Sequence, residues 1–261
     1  MQIIDSHTHI YSAEFDSDRR EVIARAHAAG ICAVMLPNED VGSIEAISRV
    51  CDSEPDFAFP MMGLHPTSVN VGYLKELRQI EAALAKRRYY AIGEIGMDLY
   101  WDKTYRREQQ DAFETQLHWS AELQIPVSIH TREAFDEVIE SIYKAGAERL
   151  RGVFHCFTGA VAQWAEIEKL SSFYVGIGGV ATFKNSVLVE TMRHIPLHRV
   201  VVETDAPYLA PVPFRGKRNE PSYVIETIKK LAEWYKIDPE MVAEQTFNNS
   251  LRLFNIEVLN A

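Results

Sequence analysis

Short apolar runs rich in β-branched residues alternate along this chain with longer stretches in which apolar residues recur at helical spacing. Gln2–Asp5, Ile31–Leu36, Phe57–Met62, Tyr90–Ile95, Val127–His130, Gly152–Phe157, Phe173–Ile177 and Val200–Thr204 read as strands. Asp18–Ala29, Val41–Cys51, Tyr73–Ala85, Tyr105–Leu123, Ala134–Ala145, Ala160–Leu170 and Ser186–His194 read as the helices between them, and Ser222–Trp234 follows the last strand. Eight such strand-then-helix units match a (β/α)8 TIM barrel, an α/β fold. An open doubly wound sheet fits less well, because its glycine-rich dinucleotide turn is missing after the first strand. A further helix, Pro239–Phe254, stands outside the repeat as a C-terminal appendage. No repeat, low-complexity stretch or dividing linker interrupts the pattern. Residues 1–261 are therefore expected to form one domain, with the Pro-rich Ala206–Glu220 segment as a long loop over the barrel mouth.

Active sites of such barrels form at the C-terminal ends of the strands. The first strand runs into Asp5-Ser6-His7-Thr8-His9. Residues two apart on an extended chain face the same way, so both imidazoles can reach one metal ion. The fourth strand carries Glu94, the fifth ends in His130, the sixth contains His155 and the eighth leads to Asp205. Each has a plain alternative: hydrogen-bonded histidines at a strand end, a salt-bridged acid, a satisfied core imidazole, an Asp that caps a turn. Their joint arrival at one rim is what points to a metal site.

Composition adds limits. The 261 residues are 47% hydrophobic and 25% charged, as in an ordinary globular protein able to bury a large core. Cys32, Cys51 and Cys156 are odd in number, far apart and without a CxxC pair, which argues for a reducing compartment, the cytoplasm. Residues 1–9 hold no basic segment followed by a long apolar stretch, so no secretory signal is expected, and no run reaches membrane-spanning length. A formal charge of −10 argues against a broad basic surface that holds duplex DNA nonspecifically; any nucleic-acid contact must be local.

Several blocks then carry a family resemblance: Asp5-Ser6-His7-Thr8-His9, Gly63-Leu64-His65-Pro66, Ala91-Ile92-Gly93-Glu94-Ile95-Gly96-Met97-Asp98 and Pro126-Val127-Ser128-Ile129-His130-Thr131-Arg132. They continue in His155-Cys156-Phe157-Thr158-Gly159, Glu203-Thr204-Asp205-Ala206-Pro207-Tyr208 and Arg218-Asn219-Glu220-Pro221. Over nearly its whole length the chain resembles the TatD-family metal-dependent deoxyribonucleases of the amidohydrolase-like barrel superfamily. The resemblance implies two divalent ions, magnesium, manganese or zinc. His7 and His9 would hold one, His130 and His155 the other, Glu94 would bridge them, and Asp205 would complete the first. It also implies a DNase that trims single-stranded DNA from the 3′ end. A carboxylated lysine, the superfamily's other bridging device, has no candidate at the fourth strand.

Two metals can activate water and neutralise phosphoryl oxygens, and Asp205 is the choice for general base. Arg132 and His65 are candidate substrate contacts, and Glu203 is a candidate to orient a ligand from behind. Tyr100 and Trp101 can stack on an unpaired base or pack the rim, and Arg215, Lys217 and Arg218 can track a backbone or form a solvated surface. Phe113, Leu117 and Leu123 are expected in the helical core, and Cys156 as a thiol turned away from the site. The partner expected is single-stranded DNA and not a membrane, with a monomer the favoured state. Two rival functions remain at this level: hydrolysis of a small amide, lactone or ester by the same metals, and a non-catalytic scaffold with structural metals.

Overall fold

The computed structural model describes residues 1–184 and 186–258. Through them parallel strands and helices alternate as β1 (Ile3–Asp5), α1 (Arg19–Ala28), β2 (Ile31–Leu36), α2 (Ile44–Ser53), β3 (Ala58–Pro60), α3 (Tyr73–Leu84), β4 (Ile92–Asp98), α4 (Arg106–Leu123) and β5 (Val127–Arg132). The series continues with α5 (Phe135–Lys144), β6 (Gly152–Phe154), α6 (Val161–Lys169), β7 (Phe173–Ile177), α7 (Leu188–Met192), β8 (Val200–Val202), α8 (Val224–Tyr235) and α9 (Pro239–Phe254). The predicted order holds throughout. Boundaries differ by a few residues, and α7 is shorter than the Ser186–His194 pattern suggested.

Two ladders, β1-β2-β3 and β4-β5-β6-β7-β8, make up the wall. They join at two seams, each carrying a single bridge. Met62 pairs with Ile92 beside β3 and β4, and Thr8 pairs with Ala206 beyond β1 and β8. Backbone bonds reinforce the second seam, from Ser6 N to Val202 O (3.0 Å) and from Asp205 N to His7 O (2.9 Å). The barrel is thereby closed.

Along the strands two apolar sets alternate. Ala33, Met35, Val153 and Val201 join one cluster, while Val34, Leu36, Phe154, Val200 and Val202 join the cluster that packs under the helices. The first set therefore fills the barrel interior, as a side-chain period of two requires. Leu253 and Phe254 of α9 belong to that interior set. The last helix is thus no appendage: it is part of the barrel core. Asn249 fastens it by donating to the carbonyls of Leu197 (2.9 Å) and Val200 (2.6 Å).

On α4, Phe113 and Leu117 are fully buried as expected, but Leu123 is 50% exposed. Six residues after Leu117, it has rotated off the apolar face at the helix end. The same helix buries Gln109 and Gln116, two turns apart. Each amide grips a backbone N–H and C=O, of Asp98 (2.9 and 3.1 Å) and of Leu64 (2.7 and 3.2 Å). These grips fix the chain where β4 ends and where the segment after β3 approaches the rim. No helix among the described residues is long and apolar enough to cross a membrane.

Candidate metal centre

The ends of β1, β4, β5, β6 and β8 bring their polar residues to one point at the barrel mouth. His7 and His9 lie in the extended chain just past β1, with Nε2 atoms 3.3 Å apart. Glu94 projects from β4 between two groups. Its Oε2 lies 3.1 Å from His7 Nε2 and 4.0 Å from His9 Nε2, and Asp205 Oδ1 reaches the same two nitrogens at 3.8 and 3.4 Å. Its Oε1 lies 2.9 Å from His130 Nδ1, 2.9 Å from His155 Nε2 and 3.3 Å from His65 Nε2. Every residue of the expected set is therefore present, and one carboxylate separates it into two halves.

Glu94 is 3% exposed and His7 is fully buried, so the acid would be costly without compensating positive charge. Burial alone would raise the Glu94 carboxyl, but the His155, His65 and His7 rings and the His130 hydrogen bond hold it well below the usual carboxylate range. Burial likewise works against Asp205, whose hydrogen bond to His9 and neighbouring imidazoles keep it low. Burial and the adjacent His155 keep His7 below the ordinary histidine value. His155 is pushed well above it: burial opposes charge there, and Glu94 and Glu203 overcome that penalty.

Which nitrogen of each ring is free follows from what lies behind the ring. His9 Nδ1 is 2.9 Å from the hydroxyl of Tyr11, which in turn donates to Glu39 (3.1 Å). His155 Nδ1 faces Glu203 at 3.4 Å, His7 Nδ1 faces Ser128 Oγ at 3.4 Å, and His130 Nε2 faces Asp98 at 2.9 Å. When these rings are neutral, as a metal ligand must be, the outer nitrogens carry the proton. Lone pairs then remain on the inner nitrogens, which face Glu94 and Asp205. His65 is the reverse case. Its Nδ1 accepts the N–H of Thr67 (3.1 Å), so its Nε2 carries the proton and donates toward Glu94. Bare imidazole nitrogens converging with carboxylate oxygens fit a divalent cation. Three groupings, His7-His9-Glu94, His7-His155-Glu203 and His65-Glu94-His130, bring candidate ligand atoms within 4.8 Å of one another.

Glu203 stands behind His155 because Gly176 leaves it room: a Cβ there would lie 2.1 Å from Glu203 Oε2. Asp5 ties β1 to the eighth strand's end, accepting from the N–H groups of His7 (3.3 Å) and Thr204 (2.9 Å). Burial pushes its carboxyl up to about 8 against those bonds. Glu39, Tyr11 and Asp98 were not among the sequence candidates. Asp98 and Tyr11 repeat the two-residue spacing of their neighbours in sequence, Asp98 from Glu94 through Gly96 and Tyr11 from His7 through His9; Glu39 has no such signal.

A cleft of about 520 Å³ opens over the cluster, lined among others by Glu39, His65, Trp101, Arg132, Asp205 and Tyr208. Arg132 and His65 thus reach the candidate substrate space. So does Cys156, contrary to expectation: β6 stops at Phe154, and Cys156 turns with a φ of 47°, so strand alternation does not govern it. Of the basic loop residues, Arg218 is committed elsewhere. It pairs with Asp18 (2.6 Å) and lies over Phe15, and beside it Arg25 forks onto Glu220. Arg215 lies over Phe183.

A closed β/α barrel that gathers imidazoles and carboxylates at the C-terminal ends of its strands is a barrel of the metal-dependent hydrolase class. Comparison with known proteins narrows the class. The family model described as TatD related DNase matches residues 4–255. An uncharacterized metal-dependent hydrolase of Bacillus subtilis, YabD, is 36% identical over 97% of this chain and 99% of its own. A protein named 3′-5′ ssDNA/RNA exonuclease TatD, from Citrobacter rodentium, is 32% identical over 99% of this chain and all of its own. The crystal structure of YJJV, a TatD homolog from Escherichia coli, superposes with a TM-score of 0.90 at 27% identity, covering 98% of both chains. The chain belongs to the TatD-related DNase family, and it is a metal-dependent hydrolase acting on ester bonds.

Proposed function

We propose that this enzyme hydrolyses phosphodiester bonds of single-stranded DNA, removing nucleotides from the 3′ end, with two divalent ions. The observation that carries this reading is the division of Glu94, whose two oxygens face two separate imidazole groups. His7, His9, Asp205 and Oε2 of Glu94 would hold one ion, and His130, His155 and Oε1 the other. Magnesium, manganese and zinc are the candidates. Bound there, the ions would supply Lewis acidity, acidifying a water and neutralising charge on the phosphoryl and departing oxygens.

The chain's own groups do the rest. Asp205, ionised at neutral pH, accepts the proton of the attacking water. His65 lines the cleft, and its Nε2–H, which points toward Glu94, would turn to donate to a nonbridging phosphoryl oxygen. Arg132 offers its planar fork to the next phosphate. Glu203, Asp98, Tyr11 and Ser128 hold the ligand rings from behind. The named activity of the Citrobacter rodentium relative supports the 3′ polarity and the single-stranded substrate. We assign the reaction to the cytoplasm, which the free thiols of Cys32, Cys51 and Cys156 support.

The test is digestion of a 5′-labelled single-stranded oligodeoxynucleotide by metal-stripped protein, with magnesium, manganese or zinc restored separately. A ladder shortening from the 3′ end is expected, slowed roughly 10²- to 10⁴-fold in Asp205→Asn as for a lost general base. No cleavage with any ion at confirmed occupancy would overturn the nuclease reading and direct the search to small esters, amides and lactones.

A further inference from the structure

Most large apolar side chains of this protein are buried, yet four exposed ones stand near the mouth of the cleft: Tyr100 (48% exposed) and Trp101 (70%) after β4, and Tyr208 (51%) and Leu209 (39%) after β8. Leaving an indole this bare forgoes the apolar burial that a rim packed for stability alone would gain.

The surroundings of Trp101 are built. Asp98, whose Oδ2 holds His130, accepts on Oδ1 the backbone N–H groups of Tyr100 (3.0 Å) and Trp101 (3.3 Å). One carboxylate thus fixes both a candidate ligand ring and the backbone that carries the indole. The guanidinium carbon of Arg132 lies over Tyr100, 3.7 Å from the ring centroid, and 5.2 Å from the centroid of Trp101, whose ring meets Tyr100 edge-on at 85°. Arg132 is not spent on an acid: neighbouring Glu133 pairs with Lys103 instead (3.8 Å), and among the described residues Arg132 has no ion-pair partner. A cation held against an aromatic ring and bound to no acid keeps N–H groups available for a phosphate.

We infer that Trp101, braced by Tyr100 and Arg132, is a nucleobase-stacking subsite that takes an unpaired base beside the scissile phosphodiester and so makes the enzyme select single strands. The inference rests on the nuclease reading above. Arg132 binds the phosphate attached to that base, and the indole covers the base face. A base in a duplex must first be unstacked and unpaired to reach the indole, whereas a strand end offers its face at little cost. Stacking of this kind tolerates any base and either sugar, so the subsite sets strandedness and not sequence.

The test compares wild type, Trp101→Ala and Trp101→Phe on single-stranded oligothymidylates with one abasic residue walked through the last three positions, Tm and metal content serving as folding controls. Losing one stacked base lowers kcat/KM roughly ten- to hundredfold, so Trp101→Ala is expected to fall by that factor and Trp101→Phe to recover most of it. In wild type one abasic position should cost the same factor, and in Trp101→Ala that position should cost nothing further. Equal abasic penalties in both proteins would overturn the subsite. If wild type cleaves no oligonucleotide with any ion, the nuclease reading itself fails and binding decides. Trp119 and Trp164 are buried and Trp234 is partly so, which makes Trp101 the exposed fluorophore. Quenching by oligothymidylate that disappears in Trp101→Phe would then still support the subsite, and its absence in wild type would sink it.

Discussion

His65 and His130 both touch Oε1 of Glu94, yet a single proton gives them opposite roles. The amide of Thr67 occupies Nδ1 of His65 and makes that ring a donor, while Asp98 occupies Nε2 of His130 and makes it a ligand candidate. The same logic puts Tyr11 in control of His9. Tyr11→Phe removes the acceptor of His9 Nδ1–H and leaves Glu39 too far to replace it (3.8 Å), so metal affinity should fall about 10- to 100-fold with little change in Tm. Equilibrium dialysis against zinc or manganese measures it, and unchanged affinity would deny the hydroxyl any part in holding the ring. At this scale the sequence was informative about residue type and less so about partners. His7, His9, Glu94, His130, His155 and Asp205 were legible because imidazoles and carboxylates at strand ends are few. Glu39 was not, because nothing local relates it to a histidine thirty positions away. Asp205 itself has a φ of 57°, a left-handed turn that Asp tolerates better than most residues and that sets its carboxylate over the cluster.

Among elements, α9 departs most from what its sequence suggests. Its pattern shows an amphipathic helix but not its destination, which depends on contacts with β1 and β8 far away in the chain. Because Phe254 is 2% exposed within the interior cluster, Phe254→Ala should cost about 3–5 kcal/mol in chemical denaturation, where a true appendage would lose under 1. The glutamines of α4 carry a similar lesson. Buried polar residues two turns apart on an apolar face look like flaws in a helical pattern, yet both serve as clamps on the chain near the site. Strand ends were the least legible. β6 stops before His155, and the turn that follows swings Cys156 into the cleft, where strand alternation would have turned it away. Periodicity identifies an element while its ladder lasts and is silent where the chain leaves it.

On the scale of the whole molecule, the two seams of the wall differ in what fastens them. Between β3 and β4 the fastening is protein alone: Asn38 donates to Gly63 O (2.7 Å) and accepts from Glu94 N (3.0 Å), and Gln109 and Gln116 hold the flanks. Between β8 and β1 the facing side chains are Asp205 on one margin and His7 and His9 on the other. A cation held by those three residues and Glu94, as proposed above, would work as a clasp on a hoop, added to the backbone bonds and the Asp5-Thr204 contact already there. Saturating such a site at a hundred times its dissociation constant stabilises the folded state by about 2.7 kcal/mol, and of the two joins only the β8-β1 one has proposed ligands on both of its margins. Stripping the metal should therefore raise hydrogen exchange at Ser6, His9 and Asp205, whose amides cross the β8-β1 join, and leave Met62 and Tyr90, whose amides cross the other join, protected. Equal loss at both would mean the ion stiffens the barrel as a whole. An ion seated there as proposed would both equip the enzyme for hydrolysis and fasten its hoop, and its loss would leave a barrel sprung at one side and open to proteases.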